Sequence, residues 1–127
     1  MLDIQRQAGS GGKVAYHLKG RIDGQTSESL YTHIVKAEGK GLKSLTLSLA
    51  GVDFVSSAGI RTVLKLTRFC KDQGATFAVA AMQPGVAKIF EIAAALPSSQ
   101  VFASEKEADD YFEAMARKAN RKDDGDD

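Results

Sequence analysis

Residues 45–66 read LTLSLAGVDFVSSAGIRTVLKL, and the change of period inside this stretch decides the fold. Leu45, Leu47 and Leu49 alternate with Ser44, Thr46 and Ser48, the period of two that belongs to a strand. The intervening residues are small, so protein can cover both faces, which predicts a central strand. Past the serines the period lengthens. Ile60, Val63, Leu64, Thr67 and Cys70 recur at intervals that fit one helical face, widened by Leu66 and Phe69. The strand is expected to end near Val52 to Phe54 and the helix to begin near Ala58. Ser56 and Ser57 stand in the joint, at the carboxyl end of a strand, where α/β folds concentrate their sites.

On the amino-terminal side, Leu2 and Ile4, then Val14, Tyr16 and Leu18, alternate around the glycine-rich residues 8–12, which predicts a hairpin. His17 falls on its polar face. Residues 20–24, GRIDG, are expected to break the strand. Leu30, Ile34 and Ala37 then mark a helix, capped by Thr26 or Ser27, with Glu28 in its first turn, His33 at its boundary and Gly39 and Gly41 past its end. On the carboxyl side, Gly74 stops the second helix and residues 76–81 form a buried strand. Pro84 opens a helix with Val86, Ile89, Phe90 and Ala93 on one side, ended by Pro97. Val101 and Phe102 suit a short edge strand. Residues 104–107, SEKE, read as a capping box for a last helix bearing Ala108, Tyr111, Phe112, Met115 and Ala119. The order β-β-α-β-α-β-α-β-α predicts an α/β domain: a small mixed, mostly parallel sheet with about four helices packed on it. Residues 117–127 form a charged tail, expected to be disordered.

The totals narrow the function. A chain of 127 residues fits one domain. With 17 basic and 16 acidic residues the net charge is +1, so no global field draws the chain to nucleic acid or to an acidic membrane. Cys70 is the sole cysteine, which rules out an internal disulfide and suits a reducing compartment. The two histidines lie far apart, without metal-ligand spacing. The first residues lack the pattern of a signal peptide, and no run is long and apolar enough to span a membrane. A soluble cytoplasmic domain is the expectation.

Three chemistries compete for the paired serines. A helix N-cap needs one hydroxyl there and contributes about 1 kcal/mol. A nucleophilic serine needs a nearby base, and an elbow would read G-x-S-x-G; the frame around Ser56, from Phe54 to Ala58, has neither glycine. A phosphate-binding loop of the G-x-x-x-x-G-K-[ST] type is missing too. Phosphorylation is the third: the unpaired amides of a helix start tolerate a group carrying about −1.5 to −2 charges. On the helix that follows, Arg61, Lys65 and Arg68 share an arc opposite the apolar stripe, with Lys71 to one side, so a cationic face begins one turn from Ser57. Cys70 projects toward the core and reads as an inert buried thiol.

Residues 45–66, with GATFAVAAMQPGVAKIFEIAAAL at 74–96, VFASEKEADDYF at 101–112 and GRID at 20–23, resemble the STAS domain of bacterial anti-sigma factor antagonists. The resemblance runs from about residue 2 to residue 113 and implies a single STAS domain over residues 1–116. It implies a partner switch without catalytic activity or cofactor. Such a module binds a serine kinase that is also an anti-sigma factor, is released when that kinase phosphorylates a hydroxyl in the turn, and is restored by a serine phosphatase. The family's Asp-Ser-Ser/Thr-Gly aligns with Ser56, Ser57, Ala58 and Gly59. Ser57 is therefore the candidate phosphoacceptor and Ser56 the alternate, with Ala58 at the second hydroxyl position. Asp23 matches an acid that lies near the turn in the family, Ser48 replaces a frequent aspartate, and Arg61 replaces a glycine common among members. The implied partner surface is Arg61, Lys65 and Arg68; no nucleic acid or membrane insertion is implied, and a weak homodimer is compatible. The competing reading is a STAS interaction module that is never phosphorylated and serves a larger regulatory or lipid-transport assembly.

Overall fold

The computed structural model describes residues 1–93, 100–104, 106–108, 110, 111 and 114. Strands β1 (Leu2–Ala8) and β2 (Lys13–Ile22) form the hairpin, with Leu2 opposite Gly20 and Ala8 opposite Val14. Then follow α1 (Gly24–Ala37), β3 (Ser44–Val55), α2 (Ser57–Asp72), β4 (Thr76–Ala80), α3 (Pro84–Ile92) and β5 (Val101–Phe102). The described residues after β5, from 106 onward, are helical and belong to the fourth helix. The five strands lie in sequence order, antiparallel between β1 and β2 and parallel thereafter. The expected architecture is therefore the observed one. Phe112, Met115, Ala119, Pro97 and the tail from residue 117 lie outside the described residues.

The register explains the core. Val14, Leu45 and Phe77 stand side by side on neighbouring strands, as do Tyr16, Leu47 and Val79. These residues share one core with Leu30 and Ile34 of α1, Val63 and Leu66 of α2, and Val86 and Phe90 of α3. Ser44, Thr46 and Ser48 are buried on the opposite face, and so are Ala78 and Ala80, so the small polar alternation of β3 does mark a strand covered on both sides.

Several local expectations are corrected. β2 does not break at residues 20–24 but runs on to Ile22, which is fully buried and pairs with Val55. The irregularity is absorbed by register shifts around Leu18 and between Gly20 and Arg21. Gly20 has φ +120°, and a Cβ there would collide with the Met1 carbonyl oxygen. The cap of α1 is Asp23, not Thr26 or Ser27: its carboxylate accepts from the amides of Gln25 and Thr26, and Thr26 Oγ1 accepts from the Asp23 amide at 2.8 Å. Ala37 is exposed, and the buried residue at that end of α1 is Glu38. On α2 the inward stripe is Gly59, Thr62, Val63, Leu66 and Cys70, whereas Leu64 is exposed and Thr67 half-buried. Ala93 is exposed just past the end of α3. In the residue 104–107 motif, the Glu107 amide donates to Ser104 Oγ, but the Glu107 carboxylate takes the Ala103 amide rather than that of Ser104.

Glu38 joins the hairpin to α1. Tyr16 donates its hydroxyl to Glu38 at 2.6 Å, and Arg6 donates from Nε at 2.6 Å and from Nη2 at 3.2 Å. His33 meets the Tyr16 ring edge-on, 6.0 Å between centroids. Burial pushes the Glu38 carboxyl upward, but the hydrogen bonds from Arg6 and Tyr16 outweigh it and hold the group below the usual glutamate range. Burial, with the bond to Glu38, drives the Tyr16 hydroxyl well up. Glu38→Ala leaves the buried Tyr16 hydroxyl without an acceptor and should cost about 1–3 kcal/mol in urea unfolding at neutral pH. Because the folded Glu38 is the stronger acid, its contribution is present above the ordinary glutamate value of about 4.3. It is lost as pH falls through the lower folded value. Glu38→Gln should therefore show a shallower acid decline than the parent in urea midpoints measured across that range.

Candidate functional site

The turn between β3 and α2 is built by a close approach. The Ser56 amide donates to the Ile22 carbonyl at 2.9 Å, which ties the end of β3 to the end of β2. One turn on, Gly59 is buried against the same place. A Cβ at residue 59 would lie 2.8 Å from Ile22 O and 2.9 Å from both Ile22 Cγ2 and Val55 Cγ1. Only a residue without a side chain lets α2 start this close to the sheet.

The two serines divide their tasks. Ser56 is the N-cap, with φ −86° and ψ 173°, and its Oγ accepts the Gly59 amide at 3.2 Å while its carbonyl accepts the Ile60 amide at 3.0 Å. Ser57 is the first helical residue; it is exposed, and its hydroxyl is left out of the cap. The first turn of α2 contains no acidic residue. Ala58 is half-buried between them and Gly59.

Asp23 follows Ile22 directly, so its carboxylate stands at the same corner, engaged as the α1 cap. Hydrogen bonding from the Thr26 amide, chiefly, holds it below the ordinary aspartate range. Both helices thus begin at neighbouring strand ends. Beside them Arg21 lies over the Phe54 ring, 4.2 Å from the centroid, a cross-strand pair absent from the sequence expectations.

Arg61, Lys65 and Arg68 are all exposed on α2. Lys65 Nζ sits 4.5 Å from the centroid of the Tyr31 ring, so α1 contributes to this surface. Leu64 completes it. At 42% exposure, it lies between Arg61 and Arg68 on the helix, an apolar spot with cations around it. Cys70 is fully buried, and burial alone pushes its thiol up to about 12, which leaves it inert. Among the described residues no group of His, Cys, Asp or Glu could hold a metal ion, and no helix is long and apolar enough to cross a membrane.

A hairpin-led, mostly parallel sheet with a capped, hydroxyl-bearing corner at its carboxyl edge defines a class of small α/β modules. The chain belongs to the STAS domain family, whose model matches residues 3–108. It is 28% identical over 75 residues to a Bordetella bronchiseptica protein named as an anti-sigma factor antagonist, BtrV; the match spans 59% of this chain and 65% of that relative. The structure of the unphosphorylated anti-sigma factor antagonist SpoIIAA superposes with a TM-score of 0.76 at 20% identity, over 88% of this chain and 97% of that one. The fold also matches part of a larger protein, the murine anion transporter Slc26a9: TM-score 0.69, 21% identity, 82% of this chain and 18% of the transporter.

The division between the serines is directly measurable. Ser56→Ala should lose about 1 kcal/mol of stability with the cap, whereas Ser57→Ala should stay within about 0.5 kcal/mol of the parent. Gly59→Ala should destabilise by about 1–3 kcal/mol through overpacking, although alanine is the better helix former. Chemical denaturation of the three variants checks all of these outcomes.

Proposed function

We propose that this STAS domain acts as an anti-sigma factor antagonist of the partner-switching kind. It binds a serine kinase that is also an anti-sigma factor, and phosphorylation of Ser57 releases it; a serine phosphatase resets the cycle. The observation that carries this reading is the exposed Ser57 hydroxyl at the first position of α2, beside a serine that already supplies the cap. The naming of BtrV and SpoIIAA as antagonists supports the choice of partner class.

The physics of the release is local. A phosphate at Ser57 brings about −1.5 to −2 charges to a helix start whose amides favour anions, so the fold accepts it. Arg61 stands four residues on, on the same helical face, within reach of the new oxygens. Pairing draws Arg61 out of the cationic face and sets a dianion beside Leu64. A partner that had matched acidic groups to Arg61, Lys65 and Arg68, and apolar surface to Leu64, then meets like charge and an unpaired carboxylate, which costs several kcal/mol. Ser56 suits this role poorly, because modifying it removes the cap. The recurrence of the fold as a fraction of a transporter chain favours a second reading, an unmodified STAS module within a larger assembly.

Incubation with ATP and the cognate kinase should add the mass of one phosphate, lost in Ser57→Ala and kept in Ser56→Ala. No gain in mass with an active kinase would select the second reading. Leu64→Asp should weaken binding of the unmodified protein to that kinase by about 100-fold, as removal of a central apolar anchor does, with its thermal midpoint unchanged. Reversing charge at Lys65 and Arg68 should slow association and flatten its salt dependence. Calorimetry and stopped-flow mixing read these effects.

A further inference from the structure

The two edges of the sheet differ. β5 has two residues, while β1 has seven, Leu2–Ala8, paired with β2 through an unbroken register. Among the described residues nothing pairs with the outer side of β1, and Asp3 and Gln5 to Ala8 are exposed. Several usual protections of an edge strand are missing: β1 contains no proline, no lysine and no bulge, and its one inward-facing charge, Arg6, is neutralised by Glu38. The space beside it is open as well. A groove lined by Met1, Leu2, Ile4, Gln25, Thr26 and Ser29 runs between β1 and α1, and none of these side chains is charged.

We propose that β1 is the docking edge for a second copy of this chain, joined antiparallel about a two-fold axis so that the sheets become continuous. The sequence of β1 selects this occupant. A two-fold axis normal to the sheet keeps each residue on its own face, so an axis passes through a residue and pairs its neighbours symmetrically. Axes at Asp3 or Arg6 would set a residue opposite its own charge. An axis at Ile4 sets Ile4 against Ile4, Leu2 against the stem of Arg6, and Asp3 against Gln5. An axis at Gln5 sets Gln5 against Gln5, Ile4 against Arg6, and Asp3 against Gln7. Both central registers are free of like charges. Arg6 is already paired with Glu38, so neither register buries an unpaired cation. In both, the apolar side chains of Leu2 and Ile4 point to the side of the sheet where the groove and α1 lie. Seven paired residues cover less than the roughly 1,200–2,000 Å² of a stable interface, so the dimer is weak and concentration-dependent.

Sedimentation equilibrium of the full chain from micromolar to millimolar concentration should show a monomer–dimer equilibrium. Ile4→Lys places lysine against lysine in one register and against Arg6 in the other. It should raise the dissociation constant about ten-fold or more, with the far-UV circular dichroism of the folded parent, while the thermal midpoint falls because Ile4 also packs against the core. An equimolar mixture of Ile4→Lys and Ile4→Glu should recover the dimer if the axis is at Ile4; Ile4→Glu alone should dimerise if it is at Gln5. In the unsubstituted protein, amide exchange at residues 2–8 should slow as concentration rises, which keeps the test valid if Ile4→Lys fails to fold. A monomer at every concentration, a dimer indifferent to Ile4→Lys, or exchange at residues 2–8 independent of concentration would each overturn the proposal. None of these readouts depends on Ser57.

Discussion

The contact on which the rest depends is the meeting of Gly59 with the end of β2. The first turn of α2 lies so near the Ile22 carbonyl that no side chain fits between them. That approach fixes where the helix begins. It places the Ser56 amide on Ile22 O and leaves Ser56 Oγ one turn below the Gly59 amide, which it accepts. Ser57 is then carried outward by the rotation of the helix, with no further instruction needed. The same strand end turns directly into Asp23, so the caps of α1 and α2 are set at one corner by one packing constraint. A half-ångström retreat of α2 would loosen all of these at once, since interiors at this density have two-sided contacts and little slack.

The other end of the domain is held differently. Glu38, Arg6 and Tyr16 join the hairpin to the far end of α1 through a carboxylate with two strong donors. Charge inside a protein is costly unless every partner is supplied, and here both oxygens are used. The hairpin is consequently a fixed part of the scaffold and not a loose appendage. Its outer edge is a defined surface for the same reason. A strand anchored by Arg6 and by pairing along its whole length presents its free side in a set geometry.

Much of this was legible in the residues. The alternation of residues 44–49 and the shift of period after Ser57 identify a covered central strand and its helix, because both periods are long and unmixed. Proline at 84 and glycine at 74 mark true boundaries. What periodicity could not settle is which of two adjacent arcs of α2 faces inward. The inward stripe includes Gly59 and Thr62, small residues chosen for close approach, and these carry no hydrophobic signal. Leu64, larger and more apolar, therefore looked like core and is surface. The three-residue spacing of Gly59, Thr62 and the following Val63 and Leu66 was the available clue. Glu38 was missed because a buried carboxylate is recognisable only from its partners, and Arg6 and Tyr16 are distant in sequence. GRIDG looked like a break because glycine weakens a strand locally; the buried Ile22 within it is what carries β2 through.

Two adjacent hydroxyls in one turn are not redundant under this geometry. A hydroxyl that caps is spent: its lone pairs face an amide, and a bulky anion there would have to displace the first turn from Ile22. A hydroxyl at the next position has the opposite properties, since the helix dipole reaches it but no bond holds it. The energetic separation follows. On the proposed reading, the change in charge falls almost wholly on the surface composed by Arg61, Leu64, Lys65 and the Tyr31 ring, while the core term anchored by Gly59 is untouched. A switch built in this way alters association by several kcal/mol and folding by a small fraction of that. Such a ratio is what a domain of marginal stability requires if it is to be modified and restored repeatedly without unfolding.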